Sequence, residues 1–107
     1  MRYRIELVAA AKADLREIFR YVEQHDSAAR ADQLVDGIEQ SILSLAVMSE
    51  RGHYPPELEV IGVREFREVH FKPYRIVYAR YEDKVVVHCV LDGRRDMKTL
   101  LQQRLLR

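Results

Sequence analysis

Apolar side chains recur along this chain with two different periods, and the change from one to the other divides it roughly in half. Tyr3 to Val8 is short and partly alternating, which predicts a first strand at about 2–8. In AKADLREIFRYVEQH, Leu15, Ile18, Phe19 and Val22 fall at i, i+3, i+4 and i+7, one stripe of an amphipathic helix. The stripe breaks at Asp26-Ser27, and either residue suits the cap of a second helix. That helix, at about 28–48, places Leu34, Ile38, Ile42 and Leu45 on one side, with Val35 and Leu43 widening the stripe. A connection this short predicts an antiparallel helical hairpin. The segment 49–62 is irregular, because Gly52, Pro55, Pro56 and Gly62 all resist continued helix.

Beyond Gly62 the period falls to two. Strands are predicted from Arg64 to Phe71, from Tyr74 to Tyr81, and from Lys84 to Leu91, with Glu82-Asp83 turning the chain. VVVHCVL has few polar interruptions, so the last of these reads as a central strand buried on both faces. In DMKTLLQQRLLR, Leu100, Leu101, Leu105 and Leu106 read as a short closing helix. The order strand, helix, helix, three strands, helix predicts an α+β fold, β-α-α-β-β-β-α, with the helical hairpin on one face of a small, largely antiparallel sheet. The other face is expected to be more open, with only the closing helix to cover it.

Composition narrows the class without changing that outline. At 107 residues one domain over 1–107 is expected, long enough for an ordinary core. Apolar content of 48% and charged content of 33% suit a globular chain, and no apolar run approaches the ~20 residues of a membrane helix. The N-terminus lacks a signal-peptide layout and Cys89 is the sole cysteine, so a reducing cytoplasm, no disulfide and no membrane are expected. His25, His53, His70 and His88 are scattered without metal-site spacing, so neither metal nor cofactor is predicted.

Charge does change the picture. Residues 1–63 hold 7 basic and 11 acidic side chains, net −4; residues 64–107 hold 11 and 6, net +5. An anionic partner would therefore meet the second half. Arg75 interrupts an otherwise apolar and aromatic strand and must reach water, an anion or a carboxylate, with Glu65, Glu68 and Asp96 the available acids. In VLDGRRDM, Gly93 turns the chain, Asp96 suits a helix N-cap, and Arg94-Arg95 either aim forked donors at an anion or pair with Asp92 and Asp96. No nucleophile elbow, phosphate loop or zinc-protease motif is present, and Cys89 reads as a core thiol. Metal-free RNA cleavage would need acid–base groups. Only Glu68, His70, His88, Tyr74 and Tyr78 are near, and arginines are poor bases.

These residues resemble a known family. ADLREIFRYVEQH, a long second helix, and REFREVHFKPYRIVYARYEDKVVVHCVLDGRRDM are similar to the RelE/ParE superfamily of bacterial toxins, from Tyr3 to Leu106. PYRIVY (73–78), the hairpin after it, and DGRRDM (92–97) are the most specific parts. The resemblance implies the toxin of a type II toxin–antitoxin, plasmid stabilisation-like system. RelE-type members cut mRNA in the ribosomal A site, whereas ParE-type members inhibit DNA gyrase. Arg75 and Arg95 fall on RelE-type arginines. Two RelE-type lysines land near Arg67–Val69, where this chain offers Arg67 and Glu68; the C-terminal catalytic tyrosine lands on Leu101, and no histidine follows His88.

These departures and the helical hairpin favour the ParE-type reading, with no catalytic residues. The alternative, a ribosome-dependent mRNA endonuclease, would rest on Arg67, Arg75 and Arg95. A degenerate, complex-forming member is a third reading. Arg75, Arg94, Arg95 and Lys98 are the expected target-binding residues. Leu100, Leu101 and Leu105 are the expected antitoxin contacts, unless they close the chain's own core. The resemblance implies a cognate antitoxin and gyrase as partners (ribosome and mRNA in the alternative), with operator DNA reached only through the antitoxin.

Overall fold

The computed structural model describes residues 2–106. Its elements are β1 (Arg4–Leu7), α1 (Ala9–His25), α2 (Ala28–Ser44), α3 (Pro56–Glu59), β2 (Arg67–Phe71), β3 (Tyr74–Tyr81), β4 (Lys84–Asp92) and α4 (Met97–Leu105). The strands form one sheet in the order β1-β4-β3-β2. β1 runs parallel to β4, and the other pairs are antiparallel. This is the α+β arrangement that the change of period predicts, with β4 central as its apolar run requires.

Period two sorts the strand side chains onto two faces. Ile76, Tyr78, Val85, Val87 and Val90 meet Ala11, Leu15, Ile38 and Ile42 of the helical hairpin. Val77, Ala79, Cys89 and Leu91 meet Leu58 of α3, Met97 and Leu101 of α4, and Phe66. The second face is thus a core of its own, not the open surface expected. The register of β3 and β4 slips between Val77 and Tyr78, leaving His88 unopposed as a bulge. Ser27 caps α2 by accepting from the Arg30 N–H at 3.1 Å, and Asp96 caps α4 by accepting from Thr99 at 3.3 Å.

Three boundaries differ from the pattern, each for a physical reason. α2 stops at Ser44, and the Leu45 and Ala46 N–H groups donate three residues back, to Ile42 and Leu43. Leu45 and Ala46 stay buried while the Ala46 carbonyl accepts from Tyr3, so the apolar stripe outlasts the helix. In the irregular stretch, Pro56 starts the short α3 because its fixed φ suits a first helical turn. β2 begins at Arg67, since Phe66 is drawn into the second core just before it. Arg107 lies outside the described residues.

Candidate functional site

Arg75 projects from β3 toward the second face. Its Nε donates to Glu68 Oε1 at 2.6 Å and its Nη2 to Glu68 Oε2 at 3.1 Å. Nη1 and Nη2 also donate to the two oxygens of Glu57, at 2.9 and 2.6 Å. Both carboxylates are held in forked pairs, and the Arg75 side chain is only 11% exposed. Glu68 stands diagonally across from it on β2, where Glu68 pairs with Val77 and His70 with Arg75. Glu57 comes from the first turn of α3. The Arg75 guanidinium holds the Glu57 carboxyl below the usual carboxylate range, and the acids push Arg75 upward in turn. Gly93 is needed here: a Cβ on it would come within 2.8 Å of the Arg75 stem.

Of the four expected target-binding residues, Arg75 therefore stands apart from Arg94, Arg95 and Lys98. The forked donors of Arg75 are spent on two acids, which removes it from the surface available to a target. Arg94 lies outside, 77% exposed, clasping Asp92 through Nε at 3.0 Å and Nη2 at 2.7 Å. That pair draws the Asp92 carboxyl below its ordinary range. Among the described residues, Arg95 and Lys98 meet no carboxylate at ion-pair distance, and both are exposed. Arg94 and Arg95 border a cleft of about 250 Å³ against α1, lined also by Glu17, Tyr21 and Tyr74. The doublet thus faces acids and aromatic rings as well as water.

The remaining candidates have structural employment. Arg67 donates to the Gly52 carbonyl at 2.9 Å and lies over the Tyr54 ring. The Tyr78 hydroxyl donates to the Ser49 carbonyl at 2.7 Å and accepts from the Gly52 N–H at 3.1 Å, and burial pushes its ionisation upward. His88 is pushed below its ordinary value by burial. Cys89 is buried, its thiol pushed up to about 12, which removes it as a nucleophile. Leu101 is fully buried in the second core and presents nothing to an antitoxin. That corrects its assignment, since closing the sheet's second face consumes it. Leu100 and Leu105 are half-buried at the margin of that core.

Two arrangements had only weak signals in the sequence. β1 ends at Leu7, paired with Val87, so the free edge of β4 continues beyond it. There Asp14 accepts from the Val90 N–H at 2.9 Å, and Arg104 donates to the His88 carbonyl at 3.2 Å. Arg104 also clasps Asp14 at 2.9 and 3.1 Å, closing the edge with a charge pair in place of a strand. Asp14, an acid within an apolar helical stripe, was the available clue. Secondly, His53 and His70 both approach Glu68, although nothing in their spacing brings them together.

The described residues contain no helix long and apolar enough to cross a membrane. A family model described as the ParE toxin of the type II toxin–antitoxin system, parDE, matches residues 5–97. No curated protein matches the chain. A solved structure, the chromosomal ParDE TA system from P. aeruginosa, superposes at a TM-score of 0.70 with 15% identity, over 83% of this chain and 94% of that one. That likeness speaks for the fold; the family match runs from the first strand through the doublet to the start of α4. The chain belongs to the family of ParE toxins of type II toxin–antitoxin systems.

Proposed function

We propose that the chain is a cytoplasmic toxin that arrests growth by inhibiting DNA gyrase without cutting nucleic acid, and that a cognate antitoxin neutralises it. The observation that carries this reading is the state of Arg75. A cation that serves a phosphoryl transition state must be free to meet it, whereas this one is closed between Glu57 and Glu68. Two of the acid–base candidates are also engaged: Glu68 serves Arg75, and the Tyr78 hydroxyl serves the loop backbone. Gyrase contacts fall to Arg94, Arg95 and Lys98, the exposed cations around the start of α4. The antitoxin would cover apolar surface that the toxin leaves wet. Leu100 and Leu105 belong to that contact, together with Leu43, Val47 and Met48, which are half or more exposed at the end of α2. Operator DNA would be reached through the antitoxin.

Pulse labelling after controlled expression in bacterial cells tests the reading. DNA synthesis is expected to fall before protein synthesis does. Protein synthesis failing first would favour the ribosome-dependent nuclease, and undiminished growth would favour a complex-forming member without toxicity.

A further inference from the structure

We propose that His53, Glu68 and His70 form a binding site for a divalent transition metal, with Zn²⁺ as the ion. Glu68 and His70 are two apart on β2 and so share a face. His53 lies across from Glu68 in an isolated antiparallel bridge, its N–H donating to the Glu68 carbonyl at 3.1 Å and its carbonyl accepting from the Glu68 N–H at 2.7 Å. The backbone alone therefore fixes three ligand-bearing positions around one point. His53 Nε2 is 2.9 Å from Glu68 Oε2, His70 Nε2 is 3.4 Å from the same oxygen, and all three atoms lie within 4.8 Å of one another. A tetrahedral zinc ion, with bonds of roughly 2.0–2.2 Å, spaces its ligand atoms by roughly 3.4 Å. Small ring rotations reach that spacing, and the imidazoles, 59% and 42% exposed, are free to make them. Their rings meet edge-on at 73°, so they are not stacked against each other.

Charge and orientation support the same ion. Glu57 and Glu68 bring two negative charges and Arg75 one positive charge, so the cluster keeps a net negative charge beside the imidazoles. Arg75 Nε grips Glu68 Oε1 at 2.6 Å, which orients the carboxylate as an outer partner orients a metal ligand. Oε2 already accepts from Arg75 Nη2 at 3.1 Å, and its remaining lone pair is the one offered to a metal. Exposed Arg51 on the rim is the opposing charge. Two imidazole nitrogens and one carboxylate oxygen suit Zn²⁺ over Mg²⁺ or Ca²⁺, and the open cleft leaves a fourth position for water. Bound there, the ion would clamp the segment around His53 onto the free edge of β2.

The test is a titration of the full chain, stripped with chelator, using Zn²⁺ by calorimetry and Co²⁺ by visible absorption. One equivalent is expected, with a tetrahedral Co²⁺ spectrum and a thermal midpoint that rises with Zn²⁺. His53→Gln and His70→Gln should each weaken binding at least about tenfold, and the double variant should abolish it. Glu68 is left intact because it holds Arg75. A second reading needs no variant: in the wild-type protein, two of the four histidine ring NMR signals should move with Zn²⁺ while His25 and His88 stay. Absence of binding, undiminished binding in the double variant, movement of the His25 or His88 signals instead, or equal competition by Mg²⁺ would overturn the site.

Discussion

Arg75 makes four hydrogen bonds to two carboxylates, and Glu68, one of those acids, is 1% exposed. Removing the guanidinium leaves Glu68, a buried acid, with only the part-exposed His53 and His70 rings beside it, a far larger effect than the loss of a surface pair. Arg75→Ala is expected to cost about 3–5 kcal/mol in urea denaturation, whereas Arg94→Ala, which loses an exposed pair with Asp92, should leave the urea midpoint almost unchanged. The ion pair also sets a pH dependence. Because the folded Glu57 carboxyl is held below its ordinary 4.5, its contribution is fully present above that value and fades as pH falls through the lower folded one. Urea midpoints of wild type and Glu57→Gln, measured from pH 7 to pH 3, should therefore converge on acidification. The sequence offered Glu68 among three acids for Arg75. It concealed Glu57, because that pairing depends on where α3 packs.

The helical hairpin and β4 were legible as elements because each carries a long uniform pattern, period 3.6 in one case and continuous apolarity in the other. The end of α2 was not, since Leu45 and Ala46 continue the apolar stripe in a turn: burial and helicity share a period but are different properties. α3 escaped notice at four residues, too short for periodicity, yet Leu58 and Glu57 make it the cover of the second face. The seating of α2 on the sheet gives a test at this scale. A Cβ at Gly37 would stand 2.3 Å from the Phe71 ring. Alanine there gains at most about 1 kcal/mol of helix propensity, while displacing a packed ring costs about 1–3 kcal/mol. Gly37→Ala should therefore destabilise on balance, and a raised urea midpoint would show that the ring yields freely. The loop tethered by Tyr78 is a second case. Tyr78→Phe leaves the Ser49 carbonyl and the Gly52 N–H without that hydroxyl and should cost about 1–3 kcal/mol.

Across the whole molecule, the second half's cations divide between internal pairing and open surface. Arg67, Arg75 and Arg104 face the protein's own carbonyls and carboxylates, while Arg94, Arg95 and Lys98 surround the β4–α4 junction in the open. Arg75 and Arg95 match RelE-type arginines as letters; in space Arg75 is closed between Glu57 and Glu68. The departures at Glu68 and Leu101 already favoured an inhibitor in the sequence; the closure of Arg75 adds to that reading and was not legible there, because side-chain pairing is a tertiary property. The direct measurement is DNA supercoiling by purified gyrase in the presence of folded toxin separated from its antitoxin. The account predicts that supercoiling is inhibited as toxin is added, and that Arg95→Ala with Lys98→Ala weakens inhibition while the fold persists. Supercoiling unaffected by an excess of folded toxin would contradict it.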